Sequence, residues 1–104
     1  MSLSEHFMET FRKYLKKHGK RILSIAELTG QKKVKIGLKG LYWYYEEYSP
    51  DYPKLEHLVK AIIRSREETS RLNSLGIKFV KMNNELYVEL SIDKLKEIVH
   101  GVSK

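Results

Sequence analysis

The apolar positions of this chain change period several times, and each change predicts an element. Phe7, Met8, Phe11, Tyr14 and Leu15 recur at helical spacing, so residues 4–18 read as an amphipathic helix. Ser4 is placed to cap it, and Gly19 to stop it. Ile22 and Ile25, with Leu28 or Ala26, then predict a second short helix over 21–28, closed by Thr29-Gly30. In QKKVKIGLKG the period becomes two: Val34, Ile36 and Leu38 alternate with Lys33, Lys35 and Gly37, the pattern of a half-buried strand.

From Lys39 to Tyr48 helical spacing returns. Leu38, Leu41, Tyr42, Tyr45 and Tyr48 share one face of the wheel, with Tyr44 at its edge. Trp43 falls on the opposite side, beside Glu46 and Glu47. Ser49-Pro50-Asp51 reads as a turn, with Asp51 capping a long helix over 52–73. Its inward stripe would be Leu55, Leu58, Val59, Ile62 and Ile63. Arg64 could pair with Glu68, and Glu67 with Arg71, on its outer face.

Gly76 ends that helix and opens a hairpin. Asn83-Asn84, between GIKFVKM and ELYVEL, is a two-residue turn signal because asparagine tolerates positive φ. The register that follows sets Lys78 against Glu89, Phe79 against Val88 and Val80 against Tyr87. Ser91 caps a last helix over 92–102, with Ile92, Leu95, Ile98, Val99 and Val102 inward. The expected fold class is α+β and mostly helical. A single domain over 1–104 would comprise a helical extension (1–30), a core (33–91) and the C-terminal helix (92–102).

Charge adds the first functional constraint. The formal net charge is +7, and it is not evenly spread. Between Arg12 and Lys39 ten basic residues face the single acid Glu27, whereas from Gly40 onward ten basic residues balance ten acidic ones. A one-sign field of this kind attracts polyanions. Lys16, Lys17, Lys20, Arg21, Lys32, Lys33, Lys35 and Lys39 are therefore candidate phosphate contacts.

Other chemistry is missing. There is no cysteine, which excludes disulfides, thiolate metal sites and thiol catalysis. His6, His18, His57 and His100 have no metal-ligand spacing, no phosphate-cradling glycine loop is present, and the adjacent pairs Glu46-Glu47 and Glu67-Glu68 diverge on a helix. Neither catalysis, nor a cofactor, nor a metal is expected. No apolar run reaches about 18 residues and no charged leader precedes an apolar core, so a cytoplasmic protein without a membrane partner is expected. The Lys- and Glu-rich, glutamine-poor composition is that of thermophile proteins, and an archaeal source would fit it.

From Lys33 to Ser91 the order of elements resembles the winged helix-turn-helix superfamily. KVKIGL would be its first strand, KGLYWYYEEY the first helix of the pair, PKLEHLVKAIIRSREETSRL the recognition-position helix, and GIKFVKMNNELYVEL the wing. The resemblance implies double-stranded DNA as partner, with Lys60, Arg64 and Arg66 on the recognition-position helix and Lys81 near the wing tip. It implies a transcriptional regulator or a DNA-associated accessory factor. The recognition-position helix departs from the pattern in being nearly charge-balanced, and SPDYP is longer than the usual turn.

A second register, ILSIAELTGQKKVKIGLKGL, also resembles a helix-turn-helix, with Ala26, Gly30 and Ile36 at the small, turn and buried positions. The opening segment resembles, more distantly, the small helical subdomain at the start of archaeal replicative helicases. The alternative to DNA binding is a protein-interaction module, a homodimer or a subunit of a replication-type complex, anchored by Trp43 with Tyr44 and Tyr52. Base stacking by the aromatic cluster is disfavoured by its neighbours Glu46, Glu47 and Asp51.

Overall fold

The structure, a computed structural model, describes residues 2–102. Helices and one small antiparallel sheet make an α+β fold. The order is α1 (Leu3–Leu28), β1 (Lys33–Gly37), a 3-10 helix (Leu38–Tyr44), α2 (Leu55–Arg64), α3 (Arg66–Ser74), β2 (Lys78–Met82), β3 (Glu85–Ser91) and α4 (Ile92–Val102).

The first two expected helices are one. Helix α1 runs 26 residues straight through Gly19. This glycine is not a stop signal but a contact point: a Cβ there would lie 2.7 Å from Val99 Cγ2 of α4. Its missing side chain lets α4 pack close against the middle of α1. The N-cap is Ser2, whose Oγ accepts from the Glu5 amide, and not Ser4, which is buried. The helix ends at Thr29, with Gly30 at φ +67°, a conformation glycine adopts without strain. Of the inward positions expected in its second half, Ala26 is buried. Ile25 and Leu28 are exposed, because unbroken helical phase carries Leu23 to the core in their place.

The 39–48 segment is also different. Residues 38–44 form a 3-10 helix, and Tyr45 is already extended. Two side-chain hydrogen bonds hold the chain that follows. His6 Nε2–H donates to the Glu46 carbonyl at 2.7 Å, and the Tyr45 hydroxyl donates to the Tyr52 carbonyl at 2.6 Å. Tyr45 and Tyr48 pack against the core as expected, but Tyr42 is turned out and 44% exposed.

The long helix over 52–73 is two helices. Ser65, extended at φ −99° and ψ 116°, ends α2 and caps α3 by accepting from the Glu68 amide at 3.2 Å. Thr69 Oγ1–H donates to the Ile62 carbonyl, satisfying the end of α2. The cap of α2 is Lys54, without a side-chain bond, in place of Asp51. Ile63 is exposed, because the break releases the last turn of α2 from the core stripe.

The sheet order is β1-β3-β2, all antiparallel. Asn83 and Asn84 lie at φ 50° and 64°, the two positive angles a type I′ turn requires. The pairs Lys78 with Glu89, Phe79 with Val88 and Val80 with Tyr87 form in the hairpin. KVKIG is a strand, with Val34 and Ile36 buried, and this excludes the second helix-turn-helix register, which needs a helix through Ile36. The sheet's inner face and all four helices enclose one core around Phe7, Phe11, Leu15, Leu41, Leu58, Ile62, Ile77, Val88 and Leu95. Ser91 Oγ accepts from the Lys94 amide and starts α4.

Candidate nucleic-acid interface

A helix advances 100° per residue, and the apolar stripe Phe7–Phe11–Leu15 with Gly19 and Leu23 fixes which side of α1 faces inward. The opposite side carries Lys13, Lys16, Lys17 and Lys20, with Arg12 and Arg21 on its two flanks, and all six are exposed. They extend over about 14 Å of helix. No acidic residue stands on α1 between Glu9 and Glu27.

The fold redistributes the rest of the basic segment. Lys13 Nζ bonds Glu46 Oε1 at 3.0 Å, Lys39 Nζ bonds Glu85 Oε1 at 3.0 Å, and Lys33 Nζ lies 3.8 Å from Glu89 Oε1. Acids distant in sequence thus neutralise three of the ten cations. The Lys39 bond raises the lysine above its usual pKa and holds the Glu85 carboxyl below the usual range. The Lys13 bond does the same to Glu46. Lys33 and Lys35 face outward from β1, on a sheet face that also carries Glu85 and Glu89. Arg12, Lys16, Lys17, Lys20 and Lys32 have no acidic partner among the described residues. Arg21 Nη2 lies 3.5 Å from His18 Nδ1 and has no acidic partner among the described residues.

A second set of candidates meets elsewhere. The 3-10 helix, α2 and the β2–β3 turn border a groove of about 690 Å3 whose lining includes Lys39, Lys60, Lys81, Tyr42, Asn83 and Asn84, together with the acids Glu56 and Glu85. Arg64 and Arg66 flank Ser65 and are exposed. The expected Arg64–Glu68 pair does not form, because the break at Ser65 changes the phase between them. Arg71 instead holds both Glu67 (2.8 Å) and Glu68 (3.1 Å), and Glu68 Oε2 also accepts from the Ser4 amide at 2.7 Å. The acids of α3 are therefore committed within the fold, and Arg64 and Arg66 are left without acidic partners among the described residues.

The aromatic candidates divide. Tyr44 is hydrogen-bonded to His18 Nε2 at 2.9 Å and meets Tyr14 edge-on. Tyr14 is partly buried, which raises its phenol pKa, and the Arg21 guanidinium partly offsets that rise. Tyr52 is half-buried against Tyr48. Trp43 is 88% exposed. The docking roles of His6 and His18 were invisible in the sequence, where only metal spacing could have marked them. Among the described residues no three His, Asp or Glu side chains are grouped to hold a metal, and no helix is long and apolar enough to cross a membrane. Comparison with family models, curated proteins and solved structures gives no match.

Proposed function

We propose that this chain is a non-enzymatic DNA-binding domain that holds duplex phosphates along the outer face of α1. The observation that carries the reading is the set Lys16, Lys17 and Lys20 on the outer face of α1, flanked by Arg12 and Arg21, all exposed and with no acidic partner among the described residues. About 14 Å of duplex axis presents roughly eight phosphate charges, so five cations over that length have enough partners. Duplex binding suits a transcriptional regulator or a DNA-associated accessory factor.

The arrangement is winged-helix-like in this reading. Strand, two helices and hairpin follow in that order, with β3 between β1 and β2. The helix pair would be α2 and α3, one element later than KGLYWYYEEY, and the Asn83-Asn84 turn would be a short wing. Arg64 and Arg66 would then stand nearest to base edges, with Lys60 and Lys81 beside them. The link between the pair is the single residue Ser65, shorter than the usual turn of three to four.

Anisotropy of a labelled random-sequence duplex, titrated across a salt series, tests the proposal. Five phosphate contacts give a log–log slope of about −4 to −5. Replacing Lys16, Lys17 and Lys20 together by glutamine should reduce its magnitude by about 3. The same treatment of Lys60, Arg64 and Lys81 reports whether the groove face contributes. No binding at low salt, or a slope near zero, overturns the proposal.

A further inference from the structure

A 3-10 helix has three residues per turn, so residues three apart lie one above the other. In the 38–44 helix this makes three rows. Leu38, Leu41 and Tyr44 face the core and α1, and Lys39 and Tyr42 border the groove. Gly40 and Trp43 form the third row. A Cβ on Gly40 would meet the Tyr14 ring at 3.4 Å, so this row leaves the helix on the side of α1. One turn on, Trp43 emerges from the same side. Its chain neighbour Tyr44 is bonded to His18, which sits between Lys17 and Arg21 on α1. Trp43 therefore stands on the flank of the cation row, in the open. The acids that follow it in sequence are not equivalent. Glu46 is spent on Lys13, and only Glu47 beside it has no cation among the described residues.

We infer that Trp43 is a stacking shelf for one unpaired base, beside a helix face that holds the phosphates on either side of it. The inference rests on the phosphate-binding reading of α1 and narrows its ligand to a duplex carrying a single-stranded extension. A paired base within a duplex has no free face to offer. An unpaired one does, and stacking on an aromatic ring accepts any base. The positive row supplies backbone affinity that a lone exposed ring lacks.

The chain has one tryptophan, so its intrinsic fluorescence reports on Trp43 alone. The test compares a blunt duplex with the same duplex bearing a short single-stranded tail of DNA or of RNA, read by label anisotropy and by tryptophan emission. The tailed duplex should bind about tenfold tighter and quench the emission, while the blunt duplex binds without quenching. Trp43→Leu should retain the affinity and salt slope for blunt duplex and lose the preference for the tail. Glu47→Gln should strengthen the preference. A preference confined to the RNA tail supports the shelf and names RNA as the source of the base. Equal affinity for blunt and tailed duplexes, or equal quenching by both, overturns the inference and leaves the phosphate reading standing. Self-association that quenches Trp43 without nucleic acid overturns it in favour of a protein contact. Failure of the blunt duplex to bind at low salt removes the phosphate reading itself.

Discussion

Gly19→Ala is a sharp test of how α1 is held, because two effects of opposite sign meet at one atom. In an exposed helix interior, alanine is better than glycine by about 1 kcal/mol. Here the added Cβ would stand 2.7 Å from Val99 Cγ2, about 1 Å inside the usual carbon–carbon separation. Val99 is 1% exposed, and its β-branched side chain has essentially one rotamer in a helix. It cannot swing aside, so α4 must move from α1. Such overpacking costs about 1–3 kcal/mol. The clash outweighs the propensity, and urea unfolding should show Gly19→Ala less stable by about 1 kcal/mol. That corresponds to a fall in Tm of about 4–8 °C for a domain of this size. The Val99→Ala background removes the obstructing methyl. There, the same Gly19→Ala change should become stabilising by about 1 kcal/mol, so its sign reverses between backgrounds. Stabilisation in the parent protein would refute the close helix–helix approach. An unchanged cost in the Val99→Ala background would refute Val99 as its cause.

Two other outcomes follow from single side chains. Ser65→Ala should destabilise by about 1 kcal/mol in urea unfolding, whereas Ser65→Asp, which also caps, should be close to neutral; equal stability of all three would show that packing alone sets the break between α2 and α3. NMR titration should place Glu46 and Glu85 below the ordinary glutamate midpoint, because hydrogen bonds from Lys13 and Lys39 favour the ionised forms. Their contribution to stability is then present above the unfolded-state value and is lost as pH falls through the lowered folded values. Lys39→Ala should return Glu85 alone to the ordinary range, and Lys13→Ala should return Glu46 alone.

The hairpin and the last helix were legible because their signals are local. Asn83-Asn84 needs only its own backbone angles, and the alternation of GIKFVKM and ELYVEL then fixes the register. The same holds for KVKIG. What could not be read depended on partners far along the chain. Gly19 looks like a helix stop to any local rule, and only α4 packing against it turns it into part of an unbroken helix. Tyr42, Tyr45 and Tyr48 share a face on an α-helical wheel, but the helix is 3-10 and ends at Tyr44, the chain beyond it is held by His6 and by the Tyr45–Tyr52 bond, and Tyr42 is left outside. Ser65 carried an available capping signal, with Glu68 three residues on, but the continuous apolar stripe through Ile62 and Ile63 concealed it.

The charge of the chain shows the same distinction at the level of function. Counted along the sequence, Arg12 to Lys39 is a single basic field. In the fold it is not, because Glu46, Glu85 and Glu89 arrive from later elements and take up Lys13, Lys39 and Lys33. A lysine already bonded to a carboxylate gains less from a phosphate, since the first bond must be given up and its carboxylate left near the incoming anion. The effective field is therefore smaller than the formal one, and it is concentrated on the helix where Lys16, Lys17 and Lys20 have no acidic partner among the described residues. That helix is α1, and its cations follow one another along a single helix because it runs past α4 at Gly19 without a break. The packing contact that contradicts the expected helix stop is thus the one that keeps Lys16 and Lys17 on the same helix as Lys20 and Arg21.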